Sequence, residues 1–238
     1  MKKVFAFLST LVLTIALVGV FVVNDPAKAD IIVVNTCGFI ESAKEEAINT
    51  ILEMAEYKKT GTCKILIVTG CMAQRYKEEI TEEIPEVDAV LGTTSYGDIV
   101  KALNEAEAGH VFQEFKDINA LPEDSGRRVI TTGGHFGYLK IAEGCDKHCT
   151  YCIIPSLRGK FRSVPEERLL KQAEYMASQG VRELILVAQE TTVYGTDLYG
   201  KKTLHILLKK LCQIKGIRWI RVLYCYPEEI YDELIQVM

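Results

Sequence analysis

The feature that most constrains this chain is a repeated change of hydrophobic period. Short β-branched runs, suited to strands buried on both faces, alternate with amphipathic stretches of helical period. IIVVNT at 31–36, KILIVTG at 64–70 and AVLG at 89–92 are the first such runs. After the first, Ser42-Ala43-Lys44-Glu45 fits a capping box. It opens a helix whose predicted apolar face is Ala47, Ile48, Ile51, Leu52 and Ala55. Residues 74–84 and 96–107 predict two more helices. Such alternation predicts an α/β fold: a parallel sheet with helices on both faces. In that fold the carboxyl ends of the strands share one edge, and ligands bind there.

Residues 116–135 interrupt the pattern with Pro122, Asp124, Ser125, Gly126, Gly133 and Gly134, and read as a linker. They separate an N-terminal domain, 1–115, from a second domain, 136–238. A second β/α series follows, with strands at 138–144, 183–189 and 217–223 and helices at 166–179 and 203–213. A third helix begins at 228–238. Three β/α units are too few to close a barrel. The second domain is therefore expected to be a truncated partial barrel with little activity of its own.

The length, 238 residues, suits two domains. With 48% hydrophobic and 25% charged residues, a disordered, collagen-like or coiled-coil chain is excluded. The formal charge of −4 argues against a strongly basic nucleic-acid binder. Charge is uneven, however. Residues 200–221 hold Lys201, Lys202, Lys209, Lys210, Lys215, Arg218 and Arg221 with no acid. That run is either a solvated face or a contact for RNA.

The start of the chain points elsewhere. Met1-Lys2-Lys3, an uncharged run at 4–23 and Ala27-Lys28-Ala29 together have the pattern of a secretory signal or a membrane anchor. A buried element of the first domain is the competing reading.

Eight cysteines are too few per residue for a disulfide scaffold. Three of them, Cys145, Cys149 and Cys152, have C-x3-C-x2-C spacing in a loop that directly follows a strand. Such a loop can wrap three thiolates around one cuboidal cluster and leave one iron open for a small molecule. Zinc usually takes four ligands in paired spacing, and His148 is awkwardly placed beside Cys149. Tyr151 either covers the cluster, stacks on an adenine or serves as a packing aromatic. Cys212 and Cys225 read as buried small hydrophobes.

Four words carry a resemblance: NTCGFIESAKEEAINTILE (35–53), VTGCMAQRY (68–76), KIAEGCDKHCTYCIIPSLRGKFRS (140–163) and VAQETTVYGTDLYG (187–200). They resemble the radical S-adenosylmethionine methylthiotransferases, and within them the branch that acts on an aspartate of a small-subunit ribosomal protein. The resemblance runs from about Gly19 to the last residue. It implies a site-differentiated 4Fe-4S cluster on Cys145, Cys149 and Cys152, with S-adenosyl-L-methionine on its open iron. It also implies that Gln189 contacts that cofactor, unless Gln189 is a strand-end residue facing solvent. A second cluster on three cysteines of the N-terminal domain is implied too. Only Cys37 and Cys71 match, and Cys63, which precedes a strand, is rejected as the third. No catalytic side chain is assigned. Arg158 and Arg162 are either anion binders or surface charges.

The implied partners are a small-subunit ribosomal protein as substrate, an electron donor such as flavodoxin or ferredoxin, and ribosomal RNA through the basic run. The resemblance makes GVFVVNDPAKAD (19–30) part of the first domain, so Ala27-Lys28-Ala29 is no cleavage site. The chain is then expected to be cytoplasmic, with no membrane partner and an atypical apolar start at 1–18. Two other readings stay open: the transfer-RNA adenosine branch, and an inactive iron-binding relic.

Overall fold

The structure, a computed structural model, describes residues 2–7, 20–121, 129–130 and 132–238. The chain divides into two compact units, Met1–Gly126 and Arg127–Met238.

The first unit runs β1 (Lys2–Phe7), β2 (Val20–Val22), β3 (Ile31–Thr36), α1 (Glu41–Thr60), β4 (Ile65–Gly70), α2 (Cys71–Tyr76), α3 (Glu78–Glu83), β5 (Ala89–Leu91), α4 (Ile99–Glu107) and β6 (Phe112–Glu114). The strands form one sheet in the order β2-β1-β3-β4-β5-β6, parallel at every pairing. Successive side chains of a strand point to opposite faces, and both faces are covered. Ile32, Val34, Leu66, Val68 and Val90 pack with Ala47, Ile51, Met54 and Ala55 of α1 and with Met72, Ala73 and Ile80 of α2 and α3. Ile31, Val33, Ile65, Ile67, Ala89 and Leu91 face the other way, onto Ala102 and Leu103 of α4. This double burial is why the strands read as continuous apolar runs.

Several local expectations are corrected. The buried stripe of α1 is Ala47, Ile51, Met54 and Ala55, whereas Ile48 and Leu52 are exposed. The stripe keeps the helical period, and Ile48 and Leu52 lie one residue round from it. There is no capping box. Ile40 is the N-cap in extended conformation without a side-chain bond, so Ser42 falls within the first turn. The helix expected at 74–84 is two helices broken at Lys77, whose φ is 42°. Strand β6, at Phe112–Glu114, follows the last helix predicted for the first domain, where no further element was expected.

The apolar start contributes strands to the sheet. Its described parts are β1, hydrogen-bonded between β2 and β3, and β2 itself. Residues 8–19 lie outside the described residues. Ala27 and Lys28 belong to a 3-10 turn in which the Asp25 carboxylate accepts from Ala27 N at 3.1 Å, and Ala29 is fully buried. Among the described residues no helix is long and apolar enough to cross a membrane.

The second unit runs β7 (Phe136–Lys140), β8 (Ala142–Glu143), α5 (Ile154–Arg158), β9 (Arg162–Ser163), α6 (Glu166–Ser178), β10 (Glu183–Val187), α7 (Thr196–Tyr199), α8 (Leu204–Leu211), β11 (Trp219–Val222) and α9 (Asp232–Ile235). The order β11-β10-β7 makes a three-stranded parallel sheet, and β8 pairs antiparallel with β9. Leu139, Leu184 and Leu186 of the sheet are buried along with Leu169, Ala173 and Met176 of α6 and Leu207 and Leu211 of α8. The fold is therefore α/β in both units, with the second carrying three parallel strands of a partial (β/α) barrel.

The corrected face of α1 gives a direct test. Ile51→Ala is expected to lower stability by about 2–5 kcal/mol, the range for emptying a buried aliphatic site. Ile48→Ala, on the exposed face, should stay within about 0.5 kcal/mol of the parent. Urea unfolding followed by circular dichroism measures both.

Candidate functional site

Chemistry-bearing residues gather at the carboxyl edge of each sheet. In the second unit, Gly144 links β8 to the cysteine loop with φ +73°. A Cβ there would stand 2.1 Å from the Lys160 carbonyl oxygen and 2.5 Å from that of Gly159, so only glycine fits. This close approach lets Cys145 N donate to Gly159 O at 3.1 Å, while Phe161 N donates to the Asp146 carboxylate at 2.9 Å. The loop is thus moored to the RGKFRS segment. Arg158 and Arg162 serve that mooring: Arg158 lies 3.6 Å from the buried Glu143 carboxylate, and Arg162 donates to Arg158 O at 3.0 Å.

Cys145 and Cys152 are half-buried and Cys149 is exposed. Burial pushes the Cys145 thiol up. The Lys147 amide, donating to its Sγ at 3.4 Å, pulls it down, and the nearby Cys152, Glu190 and Cys149 push it up further. The Cys145 thiol thus lies within electrostatic reach of both other cysteines. The three are not drawn in around a single ion: among the described residues no three His, Cys, Asp or Glu side chains are gathered to hold one. Three thiols on one loop can each hold an iron of a cuboidal cluster, whereas zinc takes four ligands around one centre. His148 and Tyr151 point outward; Tyr151 is 85% exposed and serves as no packing aromatic.

The ends of β10 and β11 complete this edge. Gln189 is half-buried, and its Oε1 is fully buried with no hydrogen-bond partner, so it does not face solvent. Its neighbour Glu190 is buried and satisfied. Its carboxylate accepts from Thr192 N at 3.0 Å, from the Thr192 hydroxyl and from Tyr226 N at 3.4 Å. Thr191 donates to Leu223 O at 2.8 Å and lies 3.5 Å from Cys225 Sγ. Beyond them, Lys147 and Lys202 reach the two carboxylate oxygens of Glu229 at 2.7 and 2.9 Å. The Lys147 ammonium, followed by that of Lys202, holds the Glu229 carboxyl below its ordinary range.

Sequence reasoning missed Glu190, Thr191, Tyr226 and Glu229. The ETT word at 190–192 was visible, but its role as a tie to β11 depends on strand pairing. Cys225 does stand at this edge, half-buried, whereas Cys212 ends α8 exposed and is no buried hydrophobe. The basic run is partly neutralised. Lys202, Lys210 and Arg221 pair with Glu229, Glu166 and Glu183.

In the first unit, the register pairs Thr36 with Gly70, so Cys37 and Cys71 leave β3 and β4 side by side. The sheet order reverses between β1 and β3, which puts Cys37 at the switch point where such sheets bind ligands. Gly70, at φ +100°, permits the turn, since a Cβ would lie 2.4 Å from Thr36 O. The Thr36 hydroxyl donates to Thr69 O at 2.6 Å, and Arg75 donates to Gly38 O at 3.2 Å. Cys63 precedes β4, at the opposite edge. It is buried, its Sγ donates to Ile65 O at 3.5 Å, and burial pushes its thiol up to about 11. Among the described residues the edge therefore offers two thiols, and the three-thiolate set implied for a second cluster does not fit.

Two family models match the chain: Uncharacterized protein family UPF0004 over residues 9–92 and the Radical SAM superfamily over 139–238. A protein of Lachnoclostridium phytofermentans named ribosomal protein uS12 methylthiotransferase RimO is 64% identical over 220 residues, 92% of this chain and 50% of that protein. Proteins of the same name from Clostridium botulinum (strain Eklund 17B) and Clostridioides difficile are 56% and 54% identical over 90% and 92% of this chain and 48% and 50% of theirs. The chain belongs to the radical S-adenosylmethionine methylthiotransferase family.

This methylthiotransferase-family chain spans about half the length of the curated relatives it matches. Its fold is similar to that of the radical S-adenosylmethionine methyltransferase TsrM from Kitasatospora setae. One structure of that protein, with cobalamin and a 4Fe-4S cluster bound, gives a TM-score of 0.58 at 10% identity, over 92% of this chain and 52% of that one. Another, with tryptophan and a S-adenosylmethionine analogue, gives 0.56 at 12% identity, over 92% and 50%.

Gly144→Ala is expected to distort the cysteine loop, because the added methyl meets backbone atoms on both Gly159 and Lys160. Iron bound after anaerobic reconstitution should fall well below that of the parent, while far-ultraviolet circular dichroism stays near native.

Proposed function

We propose that this chain provides the radical-generating part of a methylthiotransferase that modifies an aspartate of a small-subunit ribosomal protein. The observation that carries the reading is the juxtaposition at the carboxyl edge of the second sheet. Three thiols share the loop that follows β7 and β8, and a buried carboxamide oxygen with no partner follows the neighbouring β10. The names of the relatives support the same reading.

In this proposal Cys145, Cys149 and Cys152 hold a 4Fe-4S cluster, and Gln189 and Tyr151 contact S-adenosyl-L-methionine. When bound, the cluster and S-adenosyl-L-methionine supply one-electron cleavage of the sulfonium. The residues around them bind and orient. Gln189 Oε1 is an acceptor whose lack of a partner would otherwise cost about 1–3 kcal/mol, and its proposed role is to accept from a donor such as an amino group. The exposed ring of Tyr151 gives a flat apolar surface free to stack on a base. Lys147 N, donating to Cys145 Sγ, stabilises that sulfur as a thiolate. In the first unit Cys37 and Cys71 are two ligands of a set lacking its third. The proposed domains are 1–115 and 136–238, with 116–135 as linker. The proposed location is the cytoplasm, where flavodoxin or ferredoxin would deliver electrons.

Two measurements test this. Anaerobic reconstitution should give about four irons per chain, the content of one cuboidal cluster, and replacing all three of Cys145, Cys149 and Cys152 by Ala should abolish that uptake. Incubation with dithionite and S-adenosyl-L-methionine should then yield 5′-deoxyadenosine from the parent and none from the triple variant. Unchanged iron in the triple variant overturns the assignment. A stable count near eight would mean that a complete second cluster site exists.

A further inference from the structure

The outer part of the cysteine loop is weakly held. From His148 to Cys152 its hydrogen bond among the described residues is internal, from Cys152 N to Cys149 O at 3.0 Å. His148, Cys149, Thr150 and Tyr151 are all exposed. Lys147 is where this arm meets the rest of the unit. Its amide donates to Cys145 Sγ, and its side chain crosses to the segment after β11. There the ammonium lies 2.7 Å from Glu229 Oε1 and 4.1 Å above the centre of the Tyr226 ring. Lys202 holds Glu229 from the other side, at 2.9 Å to Oε2 and 2.8 Å to the backbone oxygen. The Lys147 and Glu229 side chains are only 29% and 28% exposed, so solvent screens them less than an open surface pair. A carboxylate shared by two ammonium groups, one of them also over an aromatic face, is a charge-assisted knot with fixed geometry.

We propose that Glu229 is a positioning residue for the cluster loop: by anchoring Lys147 it holds the Lys147 amide on Cys145 Sγ and keeps the exposed arm carrying Cys149 closed. The proposal rests on the assignment of Cys145, Cys149 and Cys152 as cluster ligands. Glu229 itself touches no thiol and acts through Lys147.

The test is the rate at which the anaerobically reconstituted 238-residue chain loses its absorbance near 400 nm to a strong iron chelator. Glu229→Gln should lose its cluster roughly three- to tenfold faster than the parent, within the range for one ordinary hydrogen bond, since the pair is partly exposed and solvent weakens it. Lys147→Met should match it, and the double variant should be no faster than either single one, because both remove the same link. Lys147→Arg, which keeps the ion pair, should stay near the parent. Lys210→Gln, which breaks the Lys210–Glu166 pair elsewhere in the unit, should leave the rate unchanged. Urea midpoints separate a loop effect from general loss of fold. A parental rate in Glu229→Gln, multiplying effects in the double variant, or acceleration that follows the urea midpoint overturns the proposal. A parent that takes up no iron overturns the cluster assignment first, and the positioning role with it.

Discussion

Parallel pairing is the constraint on which the rest of this molecule depends. In a parallel sheet every strand ends on the same edge, so residues distant in sequence become neighbours through the backbone ladder alone. The match of Thr36 to Gly70 is enough to bring Cys37 beside Cys71. In the second unit the same rule lines up the chain after β7, which runs through the antiparallel β8 into the cysteine loop, with Gln189 and Glu190 after β10 and Tyr224 to Tyr226 after β11. Side-chain bonds then refine what the ladder has made. Thr191 and Glu190 fasten the end of β10 to the end of β11.

The polar groups at that edge divide into satisfied and unsatisfied ones. Glu190 is a buried carboxylate, which is tolerable only with partners, and it has three. Gln189, one residue away, buries an acceptor with none. Two adjacent polar residues thus differ: the carboxylate is closed on the protein, and the amide oxygen beside it is buried without a partner.

Much of the fold was legible because the signals were local. β-branched runs bounded by turns gave β3, β4, β5 and β10 nearly to the residue. The cysteine spacing likewise lies within one loop, so it could be read without knowing the fold. What failed depended on tertiary packing. Ile48 and Leu52 are apolar enough to be buried, but the sheet meets α1 along Met54 instead. The apolar start had the composition of an exported leader, and only strand pairing shows its described parts to be sheet. Glu229 looked like one acid among many. Its partner lies 82 residues earlier, a relation no periodicity encodes.

The buried Cys63 has a consequence for how the protein meets thiol reagents. Its thiol is held protonated far above neutral pH, and it is shut beneath the helices that cover the first sheet. Reagents attack thiolates and need access, so in the cluster-free chain the exposed Cys37, Cys149 and Cys212 react from the native state. Cys63 reacts only when its surroundings open. It is a built-in clock for the breathing of the first unit, and its labelling rate reads the local opening free energy without any added probe.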